Sequence, residues 1–393
     1  MPKDERDTGL IVPSDLATLL KIHLGSSALS ERDALSTPRE RDQAYHLLVQ
    51  SLRSWAHTVD RRNTLRVLGW AASTAALLPA LSGDAQQRVA SVLSGSGRVD
   101  TQTIEHIEAV LWRCARQDDA LGPQAALNTV LAQRDLAHML MPECPAALQP
   151  RMLSTLSEAS RQAGWLSYDL NQFDNAAYYY EDARALAHEA GNIGLGAFVL
   201  CQMSQLETWQ GRPRIGIDHA VAAQQWAHRT DDVRLRAVTA DMAARAYAAD
   251  GQQEACLRAL DTARTVLPAG DRSPSHAHFY DEALHLSFRG ECHLKLGETG
   301  HAVSCIQQSL ETLDPSYARN LAMTIVDLGK ARVQGNEIDE AARLFGDAGE
   351  IAARNSSARL VERLKQGRAE LQPWKRTPAV RHLDDRLASY AVV

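Results

Sequence analysis

The stretch that decides the fold is GKARVQGNEIDEAARLFGDA, residues 329–348. A small residue, Gly329, is followed seven positions later by Asn336, a residue that readily reverses the chain. A second small residue, Ala341, comes five positions after the turn, and Ala348 follows one heptad later. Good helix formers fill both sides of the turn. The stretch therefore predicts a hairpin of two helices that cross closely at small residues.

The same pattern occurs four times earlier in the chain. The copies are Gly164…Asn171…Ala176…Ala183, Ser204…Gly211…Gly216…Ala223, Ala244…Gly251…Cys256…Ala263 and Gly290…Gly297…Ala302…Ser309. Counted on the third member, successive copies lie 40, 40, 46 and 39 residues apart. A period in this range is typical of stacked hairpins, which form a solenoid with an extended binding surface.

Composition supports an all-α fold. The 393 residues are rich in Ala, Leu, Arg and Glu, and no alternating β-branched run predicts a strand. The six cysteines are scattered and form no CxxC pair, so we expect reduced thiols rather than a disulfide framework.

Four regions follow from the turn and helix signals. Residues 1–93 form an N-terminal helical region whose first 13 residues are expected to be disordered. Residues 98–163 carry long amphipathic helices after the joint Ser94-Gly95-Ser96-Gly97. Residues 164–355 hold the five hairpins, and residues 356–393 are expected to cap them.

The scattered cysteines predict a cytoplasmic protein, and the hydropathy of the chain predicts no membrane segment. The net charge of −6 disfavours strong nonspecific binding of nucleic acid, which needs clustered cations. The apolar stretch over residues 67–78 is too short to span a bilayer, which takes about 20 residues. We interpret it as a buried helix. The alternative is a twin-arginine-like export signal that includes Arg61-Arg62 and is exposed by an alternative start near Val59.

The hairpins resemble tetratricopeptide repeats. The small residues match the positions where the two helices of that repeat cross, and Tyr180, Leu257, Leu260 and Phe345 occupy its large packing positions. The period exceeds the usual 34 residues, and no Trp recurs at the start of each first helix. The resemblance implies a right-handed superhelical solenoid whose first helices line a concave groove.

A second resemblance covers residues 61–390. The chain is similar to actinobacterial, Streptomyces-type transcriptional regulators that join an Xre-class helix-turn-helix to a tetratricopeptide-like sensor region. The segments that carry this likeness are Arg61-Arg62, Val99-Asp100, Gly164-Trp165-Leu166, Gly196-Ala197-Phe198-Val199-Leu200 and Thr377-Pro378-Ala379-Val380-Arg381. It implies a sensor that regulates transcription of development or secondary metabolism. The helix-turn-helix signature itself is missing from residues 1–60.

The tetratricopeptide resemblance also places a candidate groove for a peptide, small-molecule or protein ligand. Counting from each small residue gives the groove-facing set Arg161, Trp165, Tyr168, Asp169, Gln205, Thr208, Asp241, Arg245, Glu291, Lys295, Lys330 and Gln334. Aromatic side chains at one end would supply contact area, and charged ones would orient a polar ligand. The competing interpretation is a solvated charged face. Analogy with the resembled family suggests a homodimer.

No motif for catalysis, phosphate binding or a cofactor is visible, so we predict no enzyme activity, cofactor or metal. The nearest metal-like cluster is His276, His278, Glu282 and His285, which lacks a second ligand pair. Two alternatives stay open. The chain could be a complete transcription factor that binds DNA through a divergent N-terminal unit. It could also be a scaffold or non-classical enzyme of a biosynthetic pathway.

Overall fold

The computed structural model describes residues 98–267 and 275–390. Within these ranges the chain is all-helical, with fourteen α-helices, three short 3₁₀ segments and no strand. This confirms the all-α prediction. The predicted N-terminal helical region, including the apolar stretch and the site of a divergent DNA-binding unit, lies outside the described residues.

Helices are numbered here in chain order. Their bounds are α1 Thr101–Leu121, α2 Leu127–Leu140, α3 Gln149–Asp169, α4 Phe173–Glu189, α5 Ile193–Trp209, α6 Pro213–Ala227, α7 Val233–Ala249, α8 Gln253–Val266, α9 Glu282–Lys295, α10 Thr299–Thr312, α11 Ala318–Gln334, α12 Ile338–Ala352, α13 Ala358–Glu370 and α14 Pro378–Ser389.

The chain divides into two compact units. The described part of the first comprises residues 98–110 and 131–145, where Ile104 and Ile107 of α1 and Leu136 and Leu140 of α2 are fully or almost fully buried. The first residues of α1 lie in this unit, and the helix begins where Asp100 accepts a hydrogen bond from the backbone N–H of Thr103, at 2.8 Å. The second unit comprises residues 111–130 and 146–390 among those described.

In the second unit, helices that are consecutive in sequence pack on one another. The pairs α3/α4, α5/α6, α7/α8, α9/α10 and α11/α12 form five hairpins. First helices also contact the next first helix, as in α7 with α9 and α9 with α11, and α13 and α14 pack onto the last hairpin. This order of packing is that of a helical solenoid.

The five predicted turn residues all adopt a left-handed backbone. Their φ angles are 60° at Asn171, 76° at Gly211, 75° at Gly251, 77° at Gly297 and 61° at Asn336. In this conformation the Cβ of most residues would clash with the backbone; Gly has no Cβ and Asn tolerates the conformation better than other residues, which is why these two are favoured at the end of a helix. The turn positions predicted from the repeat are therefore confirmed.

The small residues of the repeat lie where the two helices of a hairpin cross. A Cβ added at Gly164 would come within 2.6 Å of Cδ1 of Tyr180, and one at Gly329 within 2.5 Å of Cε1 of Phe345. Tyr180 and Phe345 are both fully buried. The missing side chains thus create the space that these rings fill.

Replacing one of these glycines should destabilise the protein even though alanine is the better helix former. We expect Gly329→Ala to lower the unfolding free energy by up to about 2 kcal/mol, because overpacking costs roughly 1–3 kcal/mol and the helix-propensity gain offsets only about 1 kcal/mol of it. Urea denaturation measures the change. Gly300→Ala is the matched control, since a Cβ there meets no atom within 4 Å. Equal stabilities of the two variants would contradict the close-crossing explanation.

In the described ranges, every helix is too short or too polar to cross a lipid bilayer.

Candidate ligand-binding site

The first helices of the hairpins and α13 bring charged side chains into a shared interior of the second unit. Asp169 at the end of α3 is fully buried and accepts hydrogen bonds from Arg319 of α11, at 3.2 Å, and Arg359 of α13, at 2.9 Å. Arg319 also donates through both terminal nitrogens to Asp118 of α1, at 3.0 and 3.1 Å. We call Asp118, Asp169, Arg319 and Arg359 the buried ion-pair network.

The predicted aromatic pair lies against this network. The rings of Trp165 and Tyr168 are 5.8 Å apart, and Trp165 donates from Nε1 to Asp118 at 3.0 Å. The guanidinium of Arg359 lies 4.7 Å from the centre of the Tyr168 ring, within cation–π range. Tyr168 is only 1% exposed. The two rings lie beside each other, and arginines of the same chain lie over both, with the guanidinium of Arg319 5.1 Å from the centre of the Trp165 ring.

Three further predicted groove residues lie on α3 and α5. Arg161 binds the carboxylate of Glu158, with Nη2 at 2.6 Å from Oε1, and donates from Nη1 to Gln202 at 3.2 Å. Gln205 and Thr208 are half-buried, and the hydroxyl of Thr208 faces the small-residue position of the next helix.

Asp241 on α7 is also engaged internally. It is fully buried and accepts hydrogen bonds from the hydroxyl of Tyr280, at 2.5 Å, and from Nδ1 of His285, at 2.9 Å. His278 instead packs its ring 4.6 Å from that of Trp112, and burial lowers its pKa to about 4. The metal-like cluster suggested by the sequence is not among the groups of potential metal ligands that converge within the described ranges.

Glu291 on α9 is the centre of a second charged cluster. Its carboxylate lies 2.9 Å from Nε of Arg245, 3.0 Å from Nζ of Lys295 and 3.4 Å from Nη2 of Arg363. Burial alone would raise the pKa of this carboxyl, but the three cations hold it well below its ordinary value. Arg363 also donates from Nε to Asp327, at 3.0 Å. Glu291 is therefore ionised at neutral pH and ties three helices together.

An open cavity of about 220 Å³ adjoins this cluster, and we call it the α9–α11–α13 cavity. Its walls are formed by Glu291, Leu294, Lys295, Lys330, Gln334, Arg363 and Glu370. Four of these are predicted groove residues. Lys330 pairs with Glu370 across the cavity, with Nζ 3.1 Å from Oε1. Gln334 accepts a hydrogen bond from the Thr299 hydroxyl at 2.9 Å.

The sequence interpretation missed the contribution of the C-terminal helices. Arg359 and Arg363 of α13 reach into the interior, yet their region was assigned only a capping role. A weak signal was present, because residues four apart on a helix share a face and both are arginines. Nothing in the sequence indicated which surface that face contacts.

Comparison of the sequence with protein-family models found no match, and comparison with curated proteins found none either.

Proposed function

We propose that the hairpins form a tetratricopeptide-like, right-handed superhelix and that the protein is a regulatory sensor. Its ligand has a small polar group that binds in the α9–α11–α13 cavity. The observation that carries this proposal is the cavity itself. Three cationic and two carboxylate side chains surround an open space, whereas Asp169 and Asp241 of the same predicted face are held by internal hydrogen bonds.

The burial of the candidate residues favours the α9–α11–α13 cavity over the positions of Asp169 and Asp241 as the binding site. Asp169 and Asp241 have no exposed surface, so a ligand there would have to separate buried ion pairs and hydrogen bonds. Breaking such a pair costs about 3–5 kcal/mol. The cavity residues are more accessible: the side chains of Lys295, Lys330 and Glu370 are 33%, 18% and 39% exposed. The Lys330–Glu370 pair, in which both side chains are partly exposed, can therefore exchange partners at a smaller cost.

The charges around the cavity define the chemistry of the ligand. Lys295, Lys330 and Arg363 suit a carboxylate, whereas Glu370 and the Gln334 side chain suit an amide or ammonium donor. A volume of about 220 Å³ is smaller than the roughly 300–1,000 Å³ of sites for drug-sized molecules. The cavity therefore fits one charged end of a ligand, and we propose the carboxyl terminus of a peptide.

The regulatory role rests on the resemblance to Xre-class regulators. In this proposal the protein acts in the cytoplasm, has no enzymatic activity, and changes its interaction with a partner when the peptide binds. The process controlled is transcription of development or secondary metabolism. Salt-dependent binding to DNA that is lost on deletion of residues 1–60 would instead support a complete transcription factor.

Peptide binding can be tested with a pool of short peptides that have free carboxyl termini and with the same pool amidated. We expect the free-acid pool alone to raise the melting temperature. At a concentration of about 100 times the Kd, ligand binding stabilises a protein by roughly 2.7 kcal/mol. Lys330→Met should abolish the shift, because it removes a cation from the cavity wall.

The matched control for this experiment is Lys365→Met, which removes an exposed lysine on α13 that does not line the cavity. It should respond to the free-acid pool like the wild type. Equal shifts with free and amidated peptides, or an undiminished shift in Lys330→Met, would refute the cavity as the binding site.

A further inference from the structure

A group of potential metal ligands lies at the tight turn between α9 and α10. His293 is in the last turn of α9, Glu298 immediately precedes α10, and His301 is in the first turn of α10. The left-handed Gly297 reverses the chain between them, and the backbone N–H of Glu298 donates to the carbonyl of His293 at 2.9 Å. The turn therefore brings His293, Glu298 and His301 together, although they are five and three residues apart in the sequence.

The candidate ligand atoms are close to one another. One atom from each of His293, Glu298 and His301 lies within 4.8 Å of the other two. Nδ1 of His293 contacts Oε2 of Glu298, and Nδ1 of His301 is 3.9 Å from the same oxygen. The imidazole rings are 5.3 Å apart between centres. An ion with ligand bonds of about 2.0–2.2 Å requires only small side-chain rotations to contact all three atoms.

The protein holds two of these three side chains in place and leaves the third exposed. The side chain of His293 is 6% exposed and thus held in place, whereas that of His301 is 77% exposed and free to rotate toward an ion. Gln253 on α8 donates to Oε1 of Glu298 at 2.8 Å, which orients the carboxylate with Oε2 toward the histidines. Outer hydrogen bonds of this kind fix the ligands in known metal sites.

We propose that His293, Glu298 and His301 bind a divalent transition-metal ion, with Zn²⁺ as the preferred occupant. Two imidazoles and one carboxylate suit Zn²⁺, whereas Mg²⁺ and Ca²⁺ prefer sites made of oxygen atoms. Three protein ligands leave the fourth tetrahedral position to water. The bound ion joins the end of α9 to the start of α10 and fixes the segment that carries Leu294 and Lys295 of the cavity wall. This inference is independent of the proposed peptide ligand.

Titration of the metal-free full-length chain with ZnCl₂, followed by calorimetry, tests the site. We expect one Zn²⁺ per chain at this turn, a rise in melting temperature, and tetrahedral visible bands when CoCl₂ replaces ZnCl₂. Gln253→Ala should weaken binding about 10–100-fold, the usual effect of removing an outer hydrogen-bond partner. His301→Ala removes a ligand and should weaken it more than that.

His382→Ala is the matched control, because His382 is exposed on α14 and is not part of the ligand group. It should bind Zn²⁺ like the wild type. His301 is itself mostly exposed, so its loss should leave the metal-free protein folded, which far-ultraviolet circular dichroism can check. Absence of Zn²⁺ binding by the wild type, or equal affinity in His301→Ala, would overturn the proposal.

Discussion

Replacement of Arg319 by alanine should be among the most damaging single changes in the second unit. The guanidinium is 5% exposed and binds Asp118 and Asp169, which are themselves almost completely buried. Without it, Asp118 keeps the Trp165 donor and Asp169 keeps the Arg359 donor, but each buried carboxylate loses its hydrogen bonds to Arg319. Breaking a buried ion pair in this way costs about 3–5 kcal/mol, so we expect a loss of that size in the unfolding free energy measured with urea.

Arg343 provides a matched comparison for this prediction. It also contacts two carboxylates, those of Glu340 at 2.7 Å and Asp347 at 2.6 Å, but its side chain is 54% exposed. Exposed pairs contribute roughly 0–1 kcal/mol, so Arg343→Ala should change stability little. If the two alanine variants lost the same stability, burial of the network would not be the source of its strength.

Glu291→Gln should both destabilise the protein and change its response to acid. The substitution keeps the shape of the side chain but removes the charge shared by Arg245, Lys295 and Arg363. We expect a loss of about 3 kcal/mol at pH 7, as for a broken buried pair. Because the folded pKa of Glu291 is depressed, its stabilisation is fully present above the unfolded pKa of about 4.3. That stabilisation is lost as the pH falls below this value toward the folded pKa.

The acid dependence distinguishes this effect from simple loss of packing. Between pH 7 and 5 the stability difference between wild type and Glu291→Gln should be constant, and below about pH 4.3 it should shrink. Urea denaturation at a series of pH values gives both curves. Glu362→Gln, which alters an exposed carboxylate on α13, should remain close to the wild type throughout. A difference that stayed constant down to pH 2 would show that the charge of Glu291 is not involved.

The parts of the fold that could be predicted from the sequence are those set by local chemistry. Asn171 and Gly297 indicate turns because few other residues tolerate a left-handed backbone. Gly164 and Gly329 indicate close crossings because a side chain there would displace Tyr180 or Phe345. Both features recur with the repeat, so the positions of the hairpins follow from the order of residues along the chain.

The candidate site was only partly predictable because its contacts join distant segments. Lys330 and Gln334 could be assigned to the face that carries the cavity by counting from a small residue. That Asp169 would be paired with Arg319, 150 residues later, could not be read from either segment alone. A charged residue occupies the same positions in the sequence pattern of a helix whether its side chain faces solvent or pairs with a buried partner. The sequence therefore identified the face but not which part of it is filled.

The long sequence separation within the buried ion-pair network has a consequence for how the chain folds. An array of hairpins held only by neighbouring contacts can fold from any point and unfold piece by piece. Here Arg319 contacts Asp118 across 201 residues, and Arg359 contacts Asp169 across 190. We expect these contacts to couple the early and late hairpins, so that they unfold in a single transition. During synthesis α3 must wait for α13 to emerge before Asp169 finds both of its partners, so the native state is completed late.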